Sequence, residues 1–191
     1  GDFSRVRARM MDVFRNGLLG PDREWQARPC DWKVTEPDEG NGNDAFLRPP
    51  IRQINDRGYR GASVDRIASE LQVTKGSFYH HNVTKDQLVL RCFGQSYRRV
   101  TDVQRSVIVR DCPSSDRLLT AMRQLFEIQL VSEDPLLRTT SIQFLPPEIK
   151  QGAMERAARI TRRFSNLVAD GIIDGSLRPV DPMTAGQMIT V

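Results

Sequence analysis

Residues 63–81 read SVDRIASELQVTKGSFYHH. Val64, Ile67, Ala68 and Leu71 recur at helical spacing, and Ser63 stands where an N-cap residue belongs. The spacing predicts a short amphipathic helix ending at Leu71. Gln72-Val73 then makes a tight connection, and Thr74 caps a second short helix, KGSFYHH. Two short helices joined by a turn of about three residues form a helix-turn-helix pattern. In such a unit the second helix enters the DNA major groove with its N-terminal residues toward the base edges.

The composition of that second helix suits the task. Thr74, Ser77, Tyr79 and His80 carry short or rigid hydrogen-bonding groups. Lys75 can reach a phosphate or a guanine edge. Gly76 has no side chain and lets the backbone approach closely. Phe78 is the apolar exception and is expected to face Val64, Ile67 and Leu71. His80 and His81 are the only histidines in the chain. As neighbours on a helix they point about 100° apart, so they do not share one metal ion. Ser63, Thr74 and Thr84 each open a helix, and helix starts offer free N–H groups to phosphate oxygens. Lys85 adds a cation beside the third of these starts.

Charge is distributed to match. The chain carries +4 overall. Residues 1–45 hold seven basic and nine acidic side chains, residues 46–99 ten and four, and residues 100–191 eleven of each. The positive excess therefore lies in the middle segment, which is the electrostatic footprint of a polyanion-binding module.

The flanks read as helical. Phe3, Val6, Met10, Val13, Phe14 and Leu18 predict a helix over 3–19, stopped by Gly17 and Gly20-Pro21. Residues 20–45, with three prolines, a GNGND run and many acids, read as a linker. Pro49-Pro50 is expected to open a short helix that runs to Arg57, with Gly58 past its end. Thr84 with Gln87 forms a capping-box pattern before a long amphipathic helix through Val103. Leu118 to Leu130 has helical spacing, and Pro135 is expected to start another helix that reaches Phe144. Residues 147–170 form the longest amphipathic stretch, DGSLRPVD reads as a loop, and a last helix covers 181–190. No alternating strand and no repeat period is evident. The expected fold class is all-α, a helix-turn-helix domain followed by a helical domain.

Other chemistries lack their motifs. There is no GxSxG, no P-loop, no glycine-rich dinucleotide turn and no HExxH. No enzyme activity, no metal and no cofactor is expected. Cys30, Cys92 and Cys112 are odd in number and widely spaced, which suits free thiols in a reducing compartment. The opening GDFSRVRARMM is charged where a signal peptide is apolar, and no apolar run spans a membrane, so a cytoplasmic protein is expected.

The segment GYRGASVDRIASELQVTKGSFYHHNVTKDQLV resembles the N-terminal DNA-binding module of the TetR family of transcriptional regulators. The resemblance rests on Gly58-Tyr59, Gly61, Ser63-Val64, Ile67-Ala68, Leu71, Val73 to Gly76, Phe78 to His80, and Lys85 with Leu88. It implies an all-α homodimer on double-stranded operator DNA, most often a repressor that a small-molecule effector releases. It implies phosphate contacts at Ser63, Tyr79 and Lys85, and groove contacts at Lys75, Gly76 and His80. It also implies an effector pocket in the C-terminal helices, with Phe126, Gln129, Phe144 and Arg163 as lining candidates. Residues 153–170 and 181–191 are the expected dimer helices. The expected organisation is an arm and linker over 1–45, the DNA-binding domain over 46–91, and the effector and dimerisation domain over 92–191. Five features depart from the pattern: about 45 residues precede the module, the prolines stand where small alanines are usual, Gln53 stands where a Leu or Phe is usual, Asn82 replaces a common aromatic, and the 92 residues after position 99 are short for the effector domain. The prolines and the long acidic preface motivate the alternative of a helical protein-interaction module with a non-functional DNA-binding head.

Overall fold

The computed structural model describes residues 3–20, 42–74, 76, 84–131 and 135–190. Among them there is helix and no strand. The helices are α1 (Phe3–Asn16), α2 (Gly42–Gly61), α3 (Val64–Glu70), α4 (Lys85–Ile108), α5 (Ser114–Leu130), a 3-10 helix (Thr139–Phe144), α6 (Pro147–Ile173) and α7 (Pro182–Thr190). The chain divides into two compact units. One holds 34–100 and 126–157, and the other holds 1–33, 101–125 and 158–191.

The first unit contains the helix-turn-helix segment and is built on one apolar core. Leu47, Ile51 and Ile54 of α2, Ile67 and Ala68 of α3, and Leu88, Val89, Cys92 and Phe93 of α4 are buried in it. Leu137, Ile142, Leu145 and Ala153 close it from the later part of the chain. Tyr97 stacks on Phe93 at 5.8 Å between ring centres and donates its hydroxyl to the Ala153 carbonyl at 2.7 Å.

Two expectations change here. The helix expected to open at Pro49-Pro50 begins at Gly42, and both prolines lie inside it. Their rings are buried, and proline φ is already helical, so burial offsets the two missing N–H donors. Residues 135–138, where a helix was expected from Pro135, form no regular element and are followed by the 3-10 helix. Side chains take over the backbone partners in this stretch. Leu136 N–H donates to Gln129 Oε1 at 3.0 Å, Leu137 N–H to Ser96 Oγ at 2.9 Å, and Arg138 N–H to Asn55 Oδ1 at 2.9 Å. Asn55 Nδ2 in turn donates to the Leu136 carbonyl at 2.9 Å. With those groups satisfied, the backbone has no need of a helical ladder.

In the second unit, Val107, Leu118, Ala121, Phe164 and Val168 are almost fully buried. The loop after α6 ties its helices together. Asp174 accepts Ser114 N–H at 2.9 Å and Ser176 N–H at 2.8 Å, so it caps the start of α5 from a distance. Ser115 N–H donates to Ser176 Oγ at 3.0 Å, and Leu177 N–H to the Gly171 carbonyl at 2.8 Å. Burial works against the Asp174 charge, but the hydrogen bonds from Ser176 and Ser114 outweigh it and hold the carboxyl well below its ordinary range. Helix α7 crosses α6 at Gly186, where a Cβ would stand 2.9 Å from Ser165 N, 3.0 Å from the Thr161 carbonyl and in collision with Ser165 Oγ.

Two measurements check this packing. Gly186→Ala forces backbone apart and is expected to lower stability by about 1–3 kcal/mol in a thermal melt; an unchanged melting temperature refutes the close crossing. Asp174→Ala removes a distal helix cap and is expected to cost about 1 kcal/mol near neutral pH. Because the folded-state pKa is depressed, the Asp174 contribution is present above the ordinary value of 3.8 and lost as pH falls below it. The difference between wild type and variant should therefore shrink in acid, and a gap that stays constant rules out the charged cap.

Candidate nucleic-acid interface

The turn that ends α3 is set at Gln72. Its φ is +56°, in the left-handed region that L-residues seldom occupy. Val73 N–H reaches the Ala68 carbonyl at 3.0 Å, and Gln72 N–H reaches the Ser69 carbonyl at 3.0 Å. This pair of bonds is a Schellman motif, and it ends α3 with its last carbonyls satisfied. The chain leaves the motif through half-buried Val73, which packs on the core of the unit, and continues to exposed Thr74 and Gly76.

The other end of α3 starts from Ser63, at φ −104° and ψ 130°. Ser63 occupies the N-cap position, as its sequence context predicts, but its hydroxyl makes no capping hydrogen bond to the helix. Upstream, Gly58 breaks α2 with φ 72° and ψ 169°, so the chain turns into α3 at the glycine singled out in the sequence.

Helix α4 opens at Thr84, whose Oγ1 accepts Gln87 N–H at 3.2 Å. The threonine half of the capping-box pattern is thus formed. Lys85 Nζ lies 4.6 Å from the centre of the Tyr59 ring. Tyr59 donates its hydroxyl to Asp86 Oδ1. Partial burial, reinforced by that carboxylate, pushes the Tyr59 pKa up to about 12, so the hydroxyl stays a donor at any ordinary pH. Burial also lowers the Lys85 pKa, while Asp86 opposes the shift. Tyr59, Lys85 and Asp86 therefore form one linked group between the end of α2 and the start of α4. Sequence reading singled out Lys85 and missed Asp86, although Asp86 follows it directly and stands in the first turn of α4. Gln53 Nε2 donates to Glu70 Oε2 at 3.1 Å and ties α2 to the end of α3.

The structure thus places Ser63, Thr74, Gly76, Thr84 and Lys85 in one unit, around the turn and the two helix starts. Lys75, Ser77, Tyr79 and His80 lie outside the described residues, as does Phe78. The effector candidates are not gathered in the same way. Phe126 and Phe144 are exposed rings, and Gln129 spends its side-chain oxygen on Leu136 N–H. Arg163 belongs to the other unit, where it is exposed and donates to Thr101 Oγ1 at 3.1 Å. Among the described residues, no group of three or more His, Cys, Asp or Glu could hold a metal ion. None of the described helices is long and apolar enough to cross a membrane.

Residues 51–92 match the family model for bacterial regulatory proteins of the tetR family. The match covers α2 from Ile51, the segment read in the sequence as a helix-turn-helix, and the start of α4. The Transposon Tn10 TetC protein of Escherichia coli is 45% identical over 40 residues, which are 21% of this chain and 20% of that protein. The chain thus spans about a fifth of the length of the curated relative it matches. Solved structures extend the likeness of fold. AibR in complex with isovaleryl coenzyme A and operator DNA superposes with a TM-score of 0.65 at 24% identity, over 76% of this chain and 80% of that one. The ketosteroid transcriptional regulator KstR2 of Mycobacterium tuberculosis gives 0.63 at 20% identity, over 76% of each chain. The likeness to these structures is one of all-α fold.

The turn itself can be tested. Gln72→Gly relieves a left-handed residue at a helix C′ position and is expected to raise stability by up to about 1 kcal/mol in denaturant unfolding. A loss of stability contradicts the motif.

Proposed function

We propose that this chain is a sequence-specific, ligand-responsive transcriptional regulator, a repressor that binds duplex operator DNA as a homodimer and is released by a small-molecule effector. The observation that carries the reading is the tetR-family match over residues 51–92, joined to the local geometry around Gln72 and Thr84. A left-handed turn after α3 leads the chain out through Val73 to Thr74. On this reading Lys75, Gly76 and His80 meet the groove. The phosphates on either side are met by Ser63, Thr74, Ser77, Tyr79, Thr84 and Lys85.

The physical roles differ. Thr84 and the first N–H groups of α4 present a positive dipole end to a phosphate oxygen. Lys85 supplies a full charge, and its pairing with the Tyr59 ring keeps that charge near the helix start. The uncapped Ser63 hydroxyl is available as a further donor. Only contacts to base edges carry sequence information. Effector response is supported by the fold neighbour solved with both isovaleryl coenzyme A and operator DNA. A ligand that favours one of two conformations of the helical body shifts the population that fits the operator.

Selection of binding sites from a random duplex library, followed by variant titration, tests the proposal. Lys85→Ala should weaken binding to selected and random duplexes alike. Lys75→Ala should cost on the order of 1–3 kcal/mol on the selected site and relax preference at one position. Recovery of no enriched sequence, or equal losses on both duplexes for Lys75→Ala, overturns the corresponding assignment.

A further inference from the structure

Within the second unit, α1 packs against α7 and is tied to the loop before it by polar groups. Arg9 donates to Asp181 Oδ2 at 2.7 Å. Arg178 donates through Nη1 to Asp12 Oδ2 at 2.9 Å and through Nε to the Gly17 carbonyl at 2.8 Å. Its backbone N–H takes the Leu18 carbonyl at 3.0 Å. This docking buries no residue of α1.

At about 100° per residue, Arg9 and Asp12 lie on one side of the helix. Val6, Met10, Phe3 and Phe14 follow round it as a single stripe about 80° wide. All four are exposed, Phe3 by 87% and Phe14 by 78%. Exposed apolar side chains scattered singly need no explanation, but four on one stripe, two of them aromatic, mark a contact surface. Just past Phe14 comes Arg7 and then, further round, Arg15, both exposed. Residues 3–16 hold four arginines and one acid, and that acid, Asp12, faces Arg178. Helix α1 is therefore held by one side and offers solvent an apolar stripe edged by cations.

We infer that this stripe is a docking surface for an anionic lipid surface. Phe3, Val6, Met10 and Phe14 enter the boundary between headgroups and acyl chains, and Arg7 and Arg15 meet the phosphates. Two features select this occupant. The charges beside the stripe, Arg7 and Arg9, have one sign, which disfavours a second α1 and complements an anionic surface. The helix also stays tied on its Arg9 and Asp12 side. A flat surface needs only the apolar side, whereas the walls of a protein groove rise past the sides of a bound helix. The helix lies in the surface and does not cross it. Its 14 residues reach about 21 Å, against a hydrocarbon core of about 30 Å.

Co-sedimentation of the full chain with phosphatidylglycerol-containing vesicles and with pure phosphatidylcholine vesicles tests the inference. Binding to the anionic vesicles is expected to be tighter by about tenfold or more, since each arginine near the surface strengthens it severalfold. Phe3→Ser combined with Phe14→Ser should weaken that binding about tenfold or more. The melting temperature should not change, because both rings are exposed in the folded chain. Arg7→Gln with Arg15→Gln should remove most of the preference for anionic vesicles. Residues 46–99 are basic as well, so the phenylalanine pair is the decisive variant. Vesicle binding that survives its loss overturns the inference, as does equal binding to both kinds of vesicle. Absence of vesicle binding overturns it too, and Phe14-dependent capture of an acidic amphipathic peptide then assigns the stripe to a protein partner.

Discussion

The arrangement of α2, α3 and α4 depends on the near-total burial of Ile54, Ile67, Leu88 and Val89 in one core. Each such side chain contributes about 1.5–3 kcal/mol by leaving water. These four residues come from α2, α3 and α4, so their burial fixes the relative placement of the three helices. Polar links then refine the arrangement. Gln53 meets Glu70 between α2 and α3, and Tyr59 meets Asp86 between α2 and α4. The core does not stop where the helix-turn-helix stops. Leu137, Ile142, Leu145 and Ala153 complete it, so a later segment of the chain packs directly on these helices.

Much of this was legible in the residues themselves. The apolar spacing of α3, the glycine that ends the preceding turn at 58, the threonine cap at 84 and the long amphipathic stretch of α6 are local signals, and local physics decides them. The helix at the N-terminus also follows from spacing alone, with Gly17 taking a positive φ at its end. The illegible parts depend on distant partners. Residues 135–138 carry an apolar pattern compatible with a helix, but Asn55, Ser96 and Gln129 satisfy their backbone groups outside any helix. Sequence periodicity holds no trace of a hydrogen bond to a residue about 80 positions away. The prolines at 49 and 50 misled for a similar reason. Local rules treat them as a helix start, while burial of both rings keeps them within a longer helix.

The candidate site divides along the same line. Thr84, Lys85 and Gly76 were chosen for residue type and position, and the first two take up local roles that those types explain. Ser63 shows the limit of such reasoning, since the N-cap position is right and the capping bond is absent. Asp86 went unnoticed because its role comes from Tyr59, 27 residues earlier in the chain.

The central claim is that the basic module grips the phosphate backbone of duplex DNA and reads its bases. The most direct test is the affinity of the chain for the DNA upstream of its own gene, and for random duplex, measured at two salt concentrations. Phosphate contacts release counterions, so log K should fall steeply and linearly with log salt for both duplexes. The account predicts that slope together with a clear preference for the upstream DNA that persists at the higher salt. Binding that is weak, indifferent to sequence or flat with salt would contradict it.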